Sequence, residues 1–150
     1  MSSHFMRHRV SAKPWSAILC LGLAGVACPL TAGAQTAPVA VSLDLYTGDK
    51  DSKGFADALT AAVSDDARFA LVTPLPADGM KIIMKDALLP QNEDMKSIGA
   101  YDVVLKLGTG KYIDEKQGFC DLAKLTMCGR VVAQDSFDAY QSYMAGHKTK

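Results

Sequence analysis

Residues 39 to 63 read VAVSLDLYTGDKDSKGFADALTAAV, and two periodicities in this stretch decide the fold. Apolar residues first alternate with small or polar ones, and this period of two predicts a half-buried strand: Val39, Val41, Leu43 and Leu45 share one face. After the polar segment TGDKDSKG, apolar residues recur every four positions: Phe55, Leu59 and Val63. That spacing gives the apolar stripe of an amphipathic helix. The stretch therefore predicts a strand followed by a helix that covers it.

The ends of this helix carry their own signals. Ser52 or Asp51 is predicted to cap its first amide groups, because a short side-chain oxygen there accepts their hydrogen bonds. Acidic residues near the amino end also favour the positive end of the helix dipole. The helix is predicted to end between Ser64 and Asp66.

The rest of the chain adds further elements by the same patterns. A short helix is predicted over NEDMKSIG, with Asn92 as its cap, Met95 and Ile98 facing inward and Gly99 as its stop. The other predicted elements, in chain order, are strands over 69–73, 80–86, 101–110 and 125–134, then a helix from about Ser136 to Ala145. The fold class is α/β (an α+β sandwich): a mixed, mostly antiparallel sheet of about five strands with two helices packed on one face.

The first 34 residues have the pattern of a secretory signal peptide. A basic start precedes the apolar run SAILCLGLAGVACPL and the small residues Ala32-Gly33-Ala34. The run is shorter than the ~20 residues that a membrane-spanning helix needs. We expect cleavage near Ala34, a single exported domain over 35–150, and a periplasmic or secreted location. Lipidation of Cys28 is the alternative, although its flanking residues fit such a site poorly.

Charge disfavours nucleic acid as a partner. Three of the 16 basic residues precede Gln35 and none of the 16 acidic ones does, which leaves a net charge of −3 after cleavage. Neutralisation of phosphates by Lys and Arg supplies most nucleic-acid affinity, and this domain has no basic stripe. Nor does a second apolar run follow the leader, so no integral membrane segment is expected in the mature chain.

The stretch CDLAKLTMC holds the two cysteines that remain after the leader, Cys120 and Cys128. Exported compartments are oxidising, which favours a disulfide between them. Zinc would need two more ligands, and His147 is the only histidine after Ala34. A redox-active pair usually has Cys-x-x-Cys spacing, which this is not. We predict a structural Cys120–Cys128 bridge that stabilises the fold by roughly 2–3 kcal/mol through chain entropy.

Residues 110 to 124 are predicted to form a loop between two strands, held by this bridge. The loop carries apolar and charged side chains that are expected to contact a partner protein: Tyr112, Ile113, Asp114, Glu115 and Phe119. A preorganised loop loses little entropy on binding, and rigid aromatic residues beside charges are typical of binding hot spots. The alternative is a surface loop that is bridged only for stability.

Catalysis, metal and cofactor have little support in the sequence. Adjacent carboxylates (65–66, 93–94 and 114–115) lie in turn-like segments that usually face water, whereas paired acid catalysis needs carboxylates across a cleft. Asp49-x-Asp51 resembles the start of a calcium loop, but Lys53 and Thr60 stand where oxygen ligands are needed. His147 lies near the end of the chain, in a predicted tail. We expect no catalytic residue, no metal and no cofactor.

Two segments resemble a known family. GFADALTAAVSDDARFALV and MKSIGAYDVVLKLGTG are similar to the small α/β domain shared by the TolB amino-terminal domain and CsgG-type envelope lipoproteins, over about residues 39 to 110. The match lies in hydrophobic patterning, and no functional residue carries over. The chain departs from that family in its disulfide and in lacking a convincing lipidation site. The resemblance implies a periplasmic, non-enzymatic scaffold that binds another envelope or secreted protein. The alternatives are an inhibitor or immunity protein and a small periplasmic hydrolase.

Overall fold

The computed structural model describes residues 37–90 and 97–147. These contain one six-stranded sheet and two α-helices, with bounds as follows: β1 Val39–Leu45, α1 Lys50–Asp65, β2 Phe69–Leu71, β3 Met80–Met84, β4 Leu89–Pro90, β5 Ile98–Leu107, β6 Tyr112–Asp121 and α2 Leu125–His147. A single 3-10 turn, Leu122–Lys124, joins β6 to α2. The predicted signal peptide and Cys28 lie outside the described residues.

The sheet is mixed and mostly antiparallel. β1 lies between β2 and β3 and is parallel to both, whereas β5 is antiparallel to β3, β4 and β6. One row of paired residues crosses four strands: Leu43, Ile82, Leu105 and Asp114. Gly110, at a φ of 86°, allows the turn between β5 and β6. The α/β prediction is confirmed.

The core lies between the sheet and two helices on one of its faces. Each helix buries a stripe against the alternating apolar residues of the strands: Phe55, Leu59 and Val63 of α1, and Val132, Ala133 and Tyr140 of α2. The two helix backbones touch at Gly129, where an added Cβ would lie 2.6 Å from the carbonyl carbon and oxygen of Ala58. A residue without a side chain is therefore required where α2 crosses α1.

Helix α1 begins differently from the sequence prediction. Asp49 is its N-cap, and its carboxylate accepts hydrogen bonds from the backbone amides of Asp51 (3.0 Å) and Ser52 (2.9 Å). These bonds satisfy two of the amides that a helix leaves unpaired at its start. The prediction of Ser52 or Asp51 as the cap is wrong by a few positions. Ser52 instead points into the core, where it is fully buried.

Four other predictions of local structure are wrong. The segment 125–134 is the start of α2 rather than a strand, and the predicted loop 110–124 contains the ten-residue strand β6. Ile98 and Gly99 begin β5 rather than end a helix, while residues 92–96 of that predicted helix lie outside the described residues. His147 is the last residue of α2, not part of a tail. The second and third strands of the sequence prediction are confirmed as β2 and β3.

Candidate functional site

Both helices pack on one face of the sheet. Among the described residues no helix covers the opposite face, here called the helix-free face, which presents the other half of each strand's side chains. Because side chains alternate along a strand, the neighbours of the core residues point to this face. Over β1 and β3 it carries the ion pair of Lys81 with Asp44, at 2.8 Å, beside the buried Ile83. Over β4, β5 and β6 its character changes.

Two large apolar side chains stand exposed on that part of the face. Leu89 of β4 pairs with Ala100 of β5, which pairs in turn with Phe119 of β6. Leu89 is 61% exposed and Phe119 is 69% exposed, while the small Ala100 lies between them. A cleft of about 430 Å³ opens at this row, lined also by Asp86 and Asp102. The arrangement is an apolar floor between two apolar walls, called here the Leu89–Phe119 cleft.

Carboxylates of β5 and β6 adjoin the cleft. The side-chain amide of Gln117 donates hydrogen bonds to Asp102 (3.1 Å) and to Glu115 (2.7 Å), which holds these two negative charges close together. Among the described residues, no Lys or Arg pairs with either carboxylate. At the far end of β6, desolvation and the nearby carboxylate of Glu115 raise the pKa of Tyr112 above its ordinary value. This part of the face is therefore apolar and carries several carboxylates. Lys106 of β5, in register with Tyr112, adds a cation to the same face.

The walls of the cleft are fixed from behind. The buried hydroxyl of Ser52 accepts a hydrogen bond from the amide of Leu88 at 2.9 Å, which anchors the segment that carries Leu89 to α1. On the other side, a disulfide joins Cys120, next to Phe119, to Cys128 in α2, with 5.8 Å between the Cα atoms. The predicted disulfide is confirmed, although it joins a strand to a helix rather than closing a loop between strands.

The five residues predicted to bind a partner all lie on β6, but they do not form one patch. Tyr112, Glu115 and Phe119 lie on the helix-free face, with Tyr112 53% exposed. Ile113 lies at a β-bulge and packs against the core, and Asp114 points to the helix side, where Lys116 binds it at 2.7 Å.

Sequence reasoning missed Leu89 and Ala100. A signal for Leu89 was present in the pair Leu88-Leu89, because two adjacent apolar residues in an extended segment must point to opposite faces. Leu88 is buried and Leu89 is exposed, as that rule requires. Ala100 had no such signal, since its role depends on which residues flank it across the sheet.

The groups considered for catalysis are not brought together. Asp114 and Glu115 point to opposite faces, and the pair 93–94 lies outside the described residues. The ring of His147 stacks on Tyr143 at the end of α2, with 4.1 Å between the ring centroids. Within residues 37–90 and 97–147, no three His, Cys, Asp or Glu side chains form a group that could hold a metal ion.

Comparison of the chain with models of known protein families, with curated proteins and with solved structures finds no match. In the part of the chain that the structure describes, neither helix has the length and apolar character needed to cross a bilayer.

Proposed function

We propose that this chain is an exported, non-enzymatic domain that binds another protein of the cell envelope or the extracellular space through the helix-free face of its sheet. The observation that carries the proposal is the row Leu89–Ala100–Phe119. Two large apolar side chains, each more than half exposed, stand on the two strands that flank β5, with the small Ala100 of β5 between them. Single exposed apolar residues are common on protein surfaces, but a paired arrangement around a cleft is typical of contact surfaces.

The surroundings of the cleft also support binding. Interface hot spots are rigid apolar or aromatic groups with a polar rim that excludes water in the complex. Phe119 and Leu89 supply the apolar centre, and Asp86, Asp102 and Gln117 supply the rim. Because the disulfide and the Ser52–Leu88 hydrogen bond hold both walls, little conformational freedom is lost when a partner docks. The signal-peptide pattern and the resemblance to envelope scaffold domains favour a partner outside the cytoplasm.

The proposal is tested by capture from an envelope extract with the protein produced from its full-length sequence, followed by mass spectrometry. Phe119→Ser and Leu89→Ser are each expected to lose the captured protein. Val131→Ser is the matched control, because Val131 is 48% exposed on α2, away from the cleft. Circular dichroism establishes that all three variants are folded.

The identity of the captured protein distinguishes a scaffold from an inhibitor. A transport or cell-wall assembly protein supports a scaffold, whereas a lytic or toxic enzyme whose activity falls on binding supports an inhibitor. Capture that survives Phe119→Ser and Leu89→Ser contradicts binding through this face. A hydrolytic activity in the purified protein would contradict the non-enzymatic assignment.

A further inference from the structure

We propose that β6 accepts an extended segment of the partner as an additional strand, with an apolar side chain beside Phe119 and a basic side chain beside Glu115. This inference rests on the proposed function and specifies the partner chemistry that the helix-free face selects. It follows from three features of β6: its edge, the spacing of its exposed side chains and its charge.

The first feature is the edge itself. β6 is ten residues long, and within the described residues β5 is the only strand that pairs with it. An edge strand offers a row of unpaired backbone amides and carbonyls, and an incoming extended segment can satisfy them. α2 packs over the helix side of the sheet and is tied to β6 through Cys120, so the edge is presented on a rigid support.

The second feature is spacing. Every second residue of β6 points to the helix-free face, and three of these are Glu115, Gln117 and Phe119. A residue of an added strand directly opposite Phe119 would bring its Cβ to about 5 Å from that of the phenylalanine. A second residue, four positions along the added strand and about 13 Å away, would lie opposite Glu115. The surface therefore selects an apolar and a basic residue separated by three others.

The third feature is charge, and it disfavours a second copy of this chain as the occupant. β6 carries the carboxylates of Asp114, Glu115 and Asp121 and a single cation, Lys116, which gives a net charge of −2. Lys116 already pairs with Asp114 on the helix side. Two β6 strands side by side would repel, because like charges facing each other across strands are destabilising. A segment with Lys or Arg on the helix-free face is attracted instead.

The probe is a fluorescein-labelled octapeptide, KTLTVTRT, whose alternating Lys, Leu, Val and Arg side chains place an apolar residue beside Phe119 and a basic one beside Glu115 in either strand direction. Two derivatives carry N-methyl groups on the backbone. In one, the amides of the Lys, Leu, Val and Arg residues are methylated; in the other, the amides of the four threonines are methylated. An added strand turns alternate amides toward its neighbour, so only one of the two sets should matter. Binding is measured by fluorescence anisotropy with the protein produced from its full-length sequence.

We expect the unmodified peptide to bind, and one N-methylated derivative to lose about tenfold or more in affinity while the other stays close to the parent. Glu115→Lys should lower the affinity for the unmodified peptide by about tenfold and raise the affinity for the charge-reversed peptide ETLTVTET. Asp65→Lys is the control for charge, since Asp65 is exposed at the end of α1. The charge-reversal rescue also establishes that the Glu115→Lys variant is folded.

The outcomes separate this inference from the proposed function. If both N-methylated peptides bind, if both fail, or if Glu115→Lys has no effect, strand addition is refuted. If the octapeptide does not bind while partner capture still depends on Phe119, strand addition is refuted and the proposed function stands. If the octapeptide binds as expected but no captured protein depends on Phe119, the proposed function is refuted instead.

Discussion

Replacing Ser52 with alanine should lower the stability of the protein by more than its small change in volume suggests. Ser52 is fully buried, and its hydroxyl makes two hydrogen bonds: it donates to the Asp49 carboxylate at 2.6 Å and accepts from the Leu88 amide at 2.9 Å. The alanine side chain fits the same space but accepts nothing. The Leu88 amide would then be buried without a hydrogen-bond partner. The carboxylate of Asp49, the N-cap of α1, would also lose the hydrogen bond that the Ser52 hydroxyl donates.

Ser136 provides a matched control. It is also fully buried, but its hydroxyl has no hydrogen-bond partner within residues 37–90 and 97–147. Ser136→Ala removes a buried polar group that gains nothing from folding, so stability should stay unchanged or rise slightly. The two substitutions delete the same atom from equally buried sites, and only the hydrogen bonds of Ser52 distinguish them.

The expected cost of Ser52→Ala is about 2 kcal/mol, from the usual 1–3 kcal/mol for leaving one buried donor unsatisfied. A domain of about 110 residues has an entropy of unfolding near 0.23 kcal/mol/K, so the melting temperature should fall by about 9 °C. Thermal unfolding followed by circular dichroism measures this difference directly. Hydrogen exchange should show faster exchange of the Leu88 amide, and partner capture should weaken because the segment that carries Leu89 is no longer anchored.

Equal melting temperatures for the Ser52→Ala and Ser136→Ala variants would refute this reasoning. That result would mean that water or a local shift satisfies the Leu88 amide at no cost. Loss of stability with unchanged partner capture would contradict a narrower point, namely that Ser52 fixes the wall of the cleft.

Three further predictions concern packing, the disulfide and pH. Gly129→Ala should lower the free energy of unfolding by about 1–3 kcal/mol in urea titrations, because its Cβ would clash with the backbone of α1; Gly146→Ala, whose Cβ meets nothing within 4 Å, should not. Cys128→Ser should cost roughly 2–3 kcal/mol in the same titration, because it opens a nine-residue ring. In Tm measurements from pH 6 to pH 2, Asp66→Asn should flatten the loss of stability on acidification. Hydrogen bonds from the Arg68 guanidinium lower the pKa of the Asp66 carboxyl below its ordinary value. The stability that this carboxylate contributes is therefore present above the unfolded-state pKa and is lost as the pH falls through the folded-state pKa.

Each of these predictions has a result that contradicts it. Equal stability of the Gly129→Ala and Gly146→Ala variants would mean that the helices can separate without cost. A Cys128→Ser variant as stable as the oxidised parent would leave the bridge without a stabilising role. A steeper acid transition in the Asp66→Asn variant would reverse the sign of the linkage argument.

The first half of the fold could be predicted from sequence because the hydrophobic periodicities of β1 and α1 are complete. β1 has core contacts on one face along its whole length, so its alternation is complete, and α1 shows an uninterrupted four-residue repeat. β6 gave no such signal. It is an edge strand whose helix-side positions at 114 and 116 are charged and pair with each other. Because the core does not extend to these positions, the apolar half of the alternation is missing, and the segment was interpreted as a loop.

Helix α2 was misread for a different reason. The pair Val131-Val132 favours a strand, and Gly129 normally disfavours a helix interior. Here the close contact with α1 requires a glycine, and tertiary packing overrides both local preferences. A longer window would have found the helix, because buried positions recur every three or four residues at 129, 132, 136 and 140. The cleft could be predicted only in part, since Phe119 stands out in sequence but its partners across the sheet do not.

The position of β1 has a consequence for how the protein folds. β1 is the first strand of the sheet along the chain, yet it lies between β2 and β3, and its pairing with β3 joins residues about 40 positions apart. Such parallel, non-local pairing forms slowly because a long loop must close first. The hairpin of β5 and β6, with α2 following at once, involves mostly local contacts and should form sooner. During synthesis from the amino end, the apolar β1 segment therefore lacks one of its two neighbouring strands until β3 has emerged, and this interval is when we expect the chain to depend most on a chaperone.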